Sequence, residues 1–220
     1  MTTTLVTGAN RGIGFSFAKL LKERGDHVIA TCRHESSELS KLGVEIASGV
    51  DVTSDKSVNL LAEKLKGRSL DLLINNAGLL SHEDLSRLDF AAIQRQMEVN
   101  AYGPLRVTAK LMALLGQGAK VALITSRMGS IDDNSSGGYY GYRMSKTALN
   151  AAGKSLAHDL APKGVAVAIL HPGYVKTEMT GNQGNVEPDA AARDLLKRID
   201  ELTLETSGTF WHANGEVLPW

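Results

Sequence analysis

The sequence predicts an α/β fold, a single doubly wound parallel sheet of about seven strands with helices on both faces. Three observations predict it. Short apolar runs alternate with longer amphipathic ones along the chain. A glycine-rich turn, TGANRGIG, stands between the first apolar run and the first amphipathic one. The 220 residues, 43% of them hydrophobic, suffice for one large core over 1–220, and no repeat or low-complexity linker divides them.

In chain order, TTLVT (3–7) reads as the first strand and 12–24 as the helix that the glycine turn opens. HVIATC (27–32) follows, then a short, weak helix at 36–42, and VEIASGVDV (44–52) as the third strand. A helix at 54–66 leads to LDLLINN (70–76), and one long helix is expected over 89–115. AKVALITS (119–126), a helix at 139–161, VAVAILH (165–171), a helix at 188–202 and GTFWH (208–212) complete the series. Such alternation implies parallel strands joined by crossovers. In open sheets of this kind ligands bind beyond the carboxyl ends of the strands. The segments at that edge are GANRGIG, RH, TSD, AGLLS, RMGS and PGYVKTEM, which carry most of the chain's unusual residues.

Charge and cysteine content exclude several classes of function. The 24 basic and 24 acidic side chains cancel, so no long-range field favours nucleic acid or an anionic membrane. A lone cysteine, Cys32, excludes an intramolecular disulfide, and the opening MTTTLVTG lacks the pattern of a secretory signal, so a cytoplasmic protein is expected. No apolar run is long enough to span a bilayer, and no histidine pairs at metal-ligand spacing, so no metal is expected.

The glycine turn has the context of a dinucleotide site. Gly8, Gly12 and Gly14 permit a tight turn, close approach of a pyrophosphate and close packing of helix on strand, and the helix then offers free N–H groups to phosphate. An acidic residue at the end of the second strand would bind a ribose 2′-hydroxyl and repel a 2′-phosphate. Here Cys32 stands there, with Arg33 next and Arg11 inside the turn. Two guanidiniums without a carboxylate favour NADP(H) over NAD(H); two solvated surface arginines are the alternative.

GGYYGYRMSK (137–146) holds three tyrosines, of which only Tyr142 has a lysine, Lys146, one helical turn on. A phenol can serve as acid/base only if its pKa falls from about 10 towards 7, which asks for about 4 kcal/mol. A neighbouring ammonium favours phenolate and supplies part of it. Tyr139 and Tyr140 read equally well as pocket wall or as packing at a helix entrance.

Taken together, TGANRGIG, DVT (51–53), NNAG (75–78), Asn100, Ser126, YRMSK (142–146) and PGYVKT (172–177) resemble the short-chain dehydrogenase/reductase family, over essentially the whole chain and in family order. ITSRMGS, GGYYGYRMSK and the closing TFWHANGEVLPW are similar to the branch of C-factor-type proteins and sniffer-like carbonyl reductases. The resemblance implies a Rossmann fold and a reductase with Tyr142 as acid/base, Lys146 as its partner, Ser126 as donor to the substrate oxygen and Asn100 as fourth member. It implies NADP(H) contacts from Gly8, Asn10, Arg11, Gly12, Ile13, Gly14, Arg33, Asp51, Val52, Asn76, Ala77 and Gly78, from Tyr142 and Lys146, and from Pro172, Gly173, Val175 and Thr177. Met128, Tyr139, Tyr140 and Tyr174 are expected at the pocket for a small ketone, aldehyde or diketone, and the long helices are expected to pair in a homodimer or homotetramer. TGNQGNVEP would be a short pocket cover.

Some alternatives stay open. The step from Ser126 to Tyr142 is longer than the family's commonest spacing, so Ser130 competes for Ser126's role unless SIDDNSSGG loops out; Gly129, completing S-x-x-G, favours Ser126. A serine hydrolase using Ser126, Asp159 and His171 lacks the G-x-S-x-G elbow. His171 is expected in a structural hydrogen bond. A non-catalytic dinucleotide sensor, or a C-factor-like signalling protein, is the remaining alternative to an oxidoreductase.

Overall fold

The computed structural model describes residues 2–220. Its elements run β1 (Thr3–Thr7), α1 (Gly12–Glu23), β2 (His27–Cys32), α2 (Ser37–Leu42), β3 (Glu45–Ser48), α3 (Asp55–Lys64), β4 (Leu70–Asn75), α4 (Phe90–Met97), α5 (Gly103–Leu111), β5 (Leu115–Ile124), α6 (Tyr140–Leu160), β6 (Ala166–His171), α7 (Pro188–Asp200) and β7 (Phe210–His212). The strands form one sheet in the order β3-β2-β1-β4-β5-β6-β7, every neighbouring pair parallel. This is the Rossmann-type, doubly wound architecture that the alternation predicts.

Both faces of the sheet are apolar because both are covered. Leu5, Ile29, Leu73, Val121 and Ile169 pack with side chains from α3, α5 and α6. Their strand neighbours Val6, Ala30, Ile74, Ala122 and Leu170 point the other way, onto α1, α2 and α7. Phe17 and Phe210 are among the largest fully buried side chains, each contributing about 2–3 kcal/mol by burial. The chain winds outward from β1 to β3 and returns to place β4 beside β1, so connections diverge to opposite faces there and leave a crevice.

Two expectations change. The third strand is only Glu45–Ser48, because Gly49 turns the chain at φ +77° and sends Val50 and Val52 into the core. The helix expected over 89–115 runs without a gap from Phe90 to Leu114, but not as one regular α-helix: a π turn at Glu98–Tyr102 lies between α4 and α5, and a 3-10 turn at Met112–Leu114 closes it. Pro104 has no N–H to give the Asn100 carbonyl four residues back, which favours a π turn here. Gly103 is needed for the approach to α3's entry loop, since a Cβ there would lie 2.9 Å from Val52 Cγ2. β5 starts at Leu115, taking in the last residue of the expected helix and the three residues before the expected strand. Among the described residues no helix is long and apolar enough to cross a membrane.

Candidate active site

The glycine turn is built as its spacing requires. Gly8 and Gly12 have φ of +66° and +54°, in the left-handed region that disfavours other residues. A Cβ on Gly14 would lie 2.2 Å from Gly8 O and 2.5 Å from Asn76 Nδ2, so α1 can seat against β1 only with glycine there. NNAG holds the turn from the neighbouring strand. Asn76 Nδ2 donates to Thr7 O at 3.1 Å and Gly8 O at 3.3 Å, while Thr7 Oγ1 accepts from Asn76 N at 3.0 Å and Ala77 N at 3.1 Å. The N-cap residue Arg11 makes no side-chain bond to α1, and among the described residues no other side chain does, leaving its first N–H groups for an anion.

A cavity of about 1150 Å³ runs along the carboxyl ends of the strands from Arg33 to Lys146. It is lined by Gly8, Asn10, Arg11, Gly12, Ile13, Arg33, Asp51, Val52, Asn76, Ala77, Gly78, Tyr142, Lys146, Pro172 and Thr177. Gly14 acts beneath this lining through its packing. Gly173, Val175, Asn100, Ser126, Met128, Tyr139, Tyr140 and Tyr174 do not line it; Val175 is buried, and its segment bridges to Val186.

At the Arg33 end, Cys32 is buried and Arg33 is exposed with no ion pair among the described residues. Burial acts to raise the Asp51 carboxyl, but hydrogen bonds from Thr53 N at 2.9 Å and Thr53 Oγ1 at 2.8 Å, with pulls from Arg33 and Arg106, hold it below the usual range. Sequence reasoning missed Arg106, which donates to Val52 O at 2.9 Å and to Asp55 at 2.8 Å and fixes the floor here. Arg11 is not the free cation that the motif implied, because Glu178, from the segment after β6, pairs with it across the cleft. The free N–H groups of α1, an unpaired Arg33 and the absence of a carboxylate at the end of β2 fit a dinucleotide bearing a 2′-phosphate.

At the other end, α6 carries Tyr142 and Lys146 on one face, with Nζ 5.6 Å from the phenol ring centroid. Lys146 is 3% exposed and donates to Ile124 O at 2.9 Å. Burial draws its ammonium down to about 8. The phenol goes the opposite way from expectation. Burial pushes Tyr142 up to about 12, and the Ser126 hydroxyl opposes it without overcoming it.

Ser126 follows β5 and accepts from Met128 N at 3.1 Å, so its own proton is free to donate. The S-x-x-G pattern has a packing cause: a Cβ on Gly129 would lie 2.7 Å from Lys146 C, and Gly129 O accepts from Thr147 Oγ1 at 2.9 Å. Ser130 is committed elsewhere, donating to Trp220 O and accepting from Asp133 N, both at 3.1 Å. Residues 131–137 are exposed and loop out, which accommodates the long step to Tyr142.

Asn100 sits in the π turn with its side chain fully used. It accepts from Leu79 N and donates to Leu79 O, both at 2.7 Å, and donates to Ser145 Oγ at 3.0 Å. Its main-chain carbonyl gets no N–H from Pro104, four residues on. Tyr139 packs edge-on against His82 at 4.5 Å, Met128 is half-buried, and Tyr140 and Tyr174 are exposed. His171 lacks the structural bond expected of it: buried Nδ1 has no partner, the ring meets His212 edge-on at 5.0 Å, and burial, then His212, Arg127 and Lys146, draws it down to about 3. Asp159 is exposed near the far end of α6, so no hydrolase triad assembles. Among the described residues no three ligating side chains cluster for a metal.

Residues 2–188 match the model of a family described as short chain dehydrogenase. The chain is 45% identical over 226 residues to 1-hydroxy-2-glutathionyl-2-methyl-3-butene dehydrogenase of Rhodococcus sp. (strain AD45), covering 100% of both proteins. It is 45% identical over 154 residues to C-signal of Myxococcus xanthus, covering 69% of this chain and 93% of that one. Among solved structures, the NADPH-bound carbonyl reductase from chicken fatty liver superposes with a TM-score of 0.91 at 30% identity, covering 100% of this chain and 99% of that one. Carbonyl reductase Sniffer of D. melanogaster gives 0.93 at 29% identity, covering 100% of both.

Proposed function

The chain belongs to the short-chain dehydrogenase family, and from that premise we propose that it is an NADP(H)-preferring oxidoreductase interconverting a small ketone, aldehyde or diketone and its alcohol. One observation carries the proposal: Tyr142 and Lys146 lie one turn apart at one end of a cleft whose other end is a phosphate-ready glycine turn. NADP(H), held by the α1 N-terminus, Arg33 and the NNAG segment, would supply the hydride and, once oxidised, a positive ring beside the phenol.

In the reducing direction the Tyr142 hydroxyl gives its proton to the developing alkoxide, while Ser126 donates to the same oxygen and fixes its approach. Lowering the phenol from about 12 to near 7 requires about 7 kcal/mol. Lys146 Nζ lies 5.6 Å from the ring centroid, and an ammonium about 6 Å from a phenolate at an effective dielectric of about 20 contributes about 3 kcal/mol. The Ser126 hydrogen bond is already contained in the value of about 12. The balance is what a cationic cofactor ring must provide, so the site is competent only when loaded. Asn100 acts through its carbonyl, as a holding point for the water that returns the proton.

A second reading, oxidation of an alcohol, is favoured by the relative named as a glutathionyl alcohol dehydrogenase. The C-signal relative keeps alive a signalling role without turnover. We take the protein to work in the cytoplasm as a homodimer or homotetramer, with exposed Phe90, Tyr102 and Leu105 along α4 and α5 as the pairing face. The test is NADPH and NADH oxidation at about 340 nm against small aldehydes, ketones and diketones, and NADP reduction with glutathione-conjugated alcohols, each with Tyr142→Phe as control. Loss of turnover by about 100-fold or more in a variant that still binds NADPH is expected. Binding without turnover on either panel would favour the signalling reading.

A further inference from the structure

The helix that carries Tyr142 and Lys146 begins without a cap of its own. Tyr139, at its N-cap, has left-handed backbone (φ 52°, ψ 41°) and makes no side-chain bond to the first turn. The opening N–H groups of a helix need partners. One comes from a distant loop: Glu83 Oε2 accepts from Gly141 N at 3.3 Å, and Glu83 O accepts from Tyr139 N at 2.8 Å. The other carboxylate oxygen accepts from Gln96 Nε2 at 2.8 Å and from the Ser81 hydroxyl.

Glu83 is 1% exposed and Gln96 is fully buried. A buried carboxylate is costly unless its oxygens are bonded, and each oxygen of Glu83 is. Its charge also lies at the positive end of the α6 dipole. The contact has little slack, since a Cβ on Gly141 would lie 2.3 Å from Gln96 Nε2 and 3.0 Å from Ile93 Cα. Beyond Tyr142, Ser145 Oγ donates to Tyr142 O at 2.8 Å and accepts from Asn100 Nδ2 at 3.0 Å. The backbone on either side of the phenol is therefore tied to the 79–83 segment, by Glu83 on one side and by Leu79, Asn100 and Ser145 on the other.

We propose that Glu83 is a positioning residue for Tyr142, the tertiary N-cap that fixes where the catalytic helix starts. The positioning role rests on Tyr142 being the acid/base; the cap itself does not. Glu83 bonds the backbone of the first turn and the Gln96 amide, not the phenol, so it is assigned to the location of Tyr142.

Glu83→Gln tests this, because its amide has one oxygen where the carboxylate has two, so either Gly141 N or the Gln96 and Ser81 pair loses its acceptor. Amide hydrogen exchange over 139–146 is expected to speed by about tenfold or more in Glu83→Gln and Glu83→Ala, with the sheet unchanged. With NADPH and the best carbonyl of the panel, kcat should fall by about tenfold while the Kd for NADPH and the pH profile of kcat stay as in wild type. Unchanged exchange over 139–146, or full kcat, would overturn the proposal, as would a kcat loss matched by an equal loss of NADPH affinity. If Glu83→Ala does not fold, Glu83→Gln decides. Wild-type turnover in Tyr142→Phe would refute the acid/base assignment and with it the positioning role, while faster exchange in the Glu83 variants would still establish the cap.

Discussion

Replacing Lys146 by Met should abolish turnover and yet stabilise the fold at neutral pH. Burial takes this ammonium from 10.5 to about 8. A lysine whose folded pKa lies below its unfolded value binds its proton less tightly when folded, so it costs stability at every pH below about 8. The cost fades as pH rises from 8 towards 10.5. At about 1.4 kcal/mol per tenfold change in proton affinity, the drop corresponds to about 3 kcal/mol. Methionine fills the space without a charge but strips Ile124 O of its 2.9 Å donor, which returns about 1–2 kcal/mol. The variant should thus be about 1–2 kcal/mol more stable at pH 7, or about 4 °C in Tm for a chain of this size. The advantage should disappear or reverse near pH 10.5. Urea unfolding of both proteins at pH 7 and pH 10, followed by tryptophan fluorescence, measures it. A variant less stable at pH 7, or a difference that ignores pH, would refute the assignment of the cost to a buried charge.

Three further changes probe the cleft and the core. Gly14→Ala puts a Cβ 2.2 Å from Gly8 O, so the Kd for NADPH by calorimetry should rise about 100-fold or more; an unchanged value would mean that the turn yields freely. Arg33→Ser should weaken NADPH by about 10–100-fold and leave NADH unaffected, and equal losses for the two would sink the 2′-phosphate assignment. Gly153→Ala brings a methyl within 2.8 Å of Ile169 and Leu123; the urea midpoint should fall by an amount worth about 1–3 kcal/mol despite alanine's better helix propensity, and a gain would show that α6 can lift off the sheet.

What the sequence by itself determined is what depends on residues close together in the chain. Two periodicities separate strands from helices, Gly8, Gly12 and Gly14 permit a turn whose geometry is local, and a four-residue step sets Tyr142 below Lys146 on one helix face. Tertiary structure decided whatever depends on approach between distant segments or on desolvation. Glu178 neutralises Arg11 from 167 residues away, Arg106 reaches across to Val52, and Ser130 loses its candidacy because Trp220 holds it. Burial, which no linear spacing encodes, raises the Tyr142 phenol where the neighbouring ammonium alone implied a fall. The π turn at Glu98–Tyr102 mixes the two: Pro104 in the sequence withdraws a donor, but the close approach to Val52 and the clamp on Leu79 at the same place come from packing.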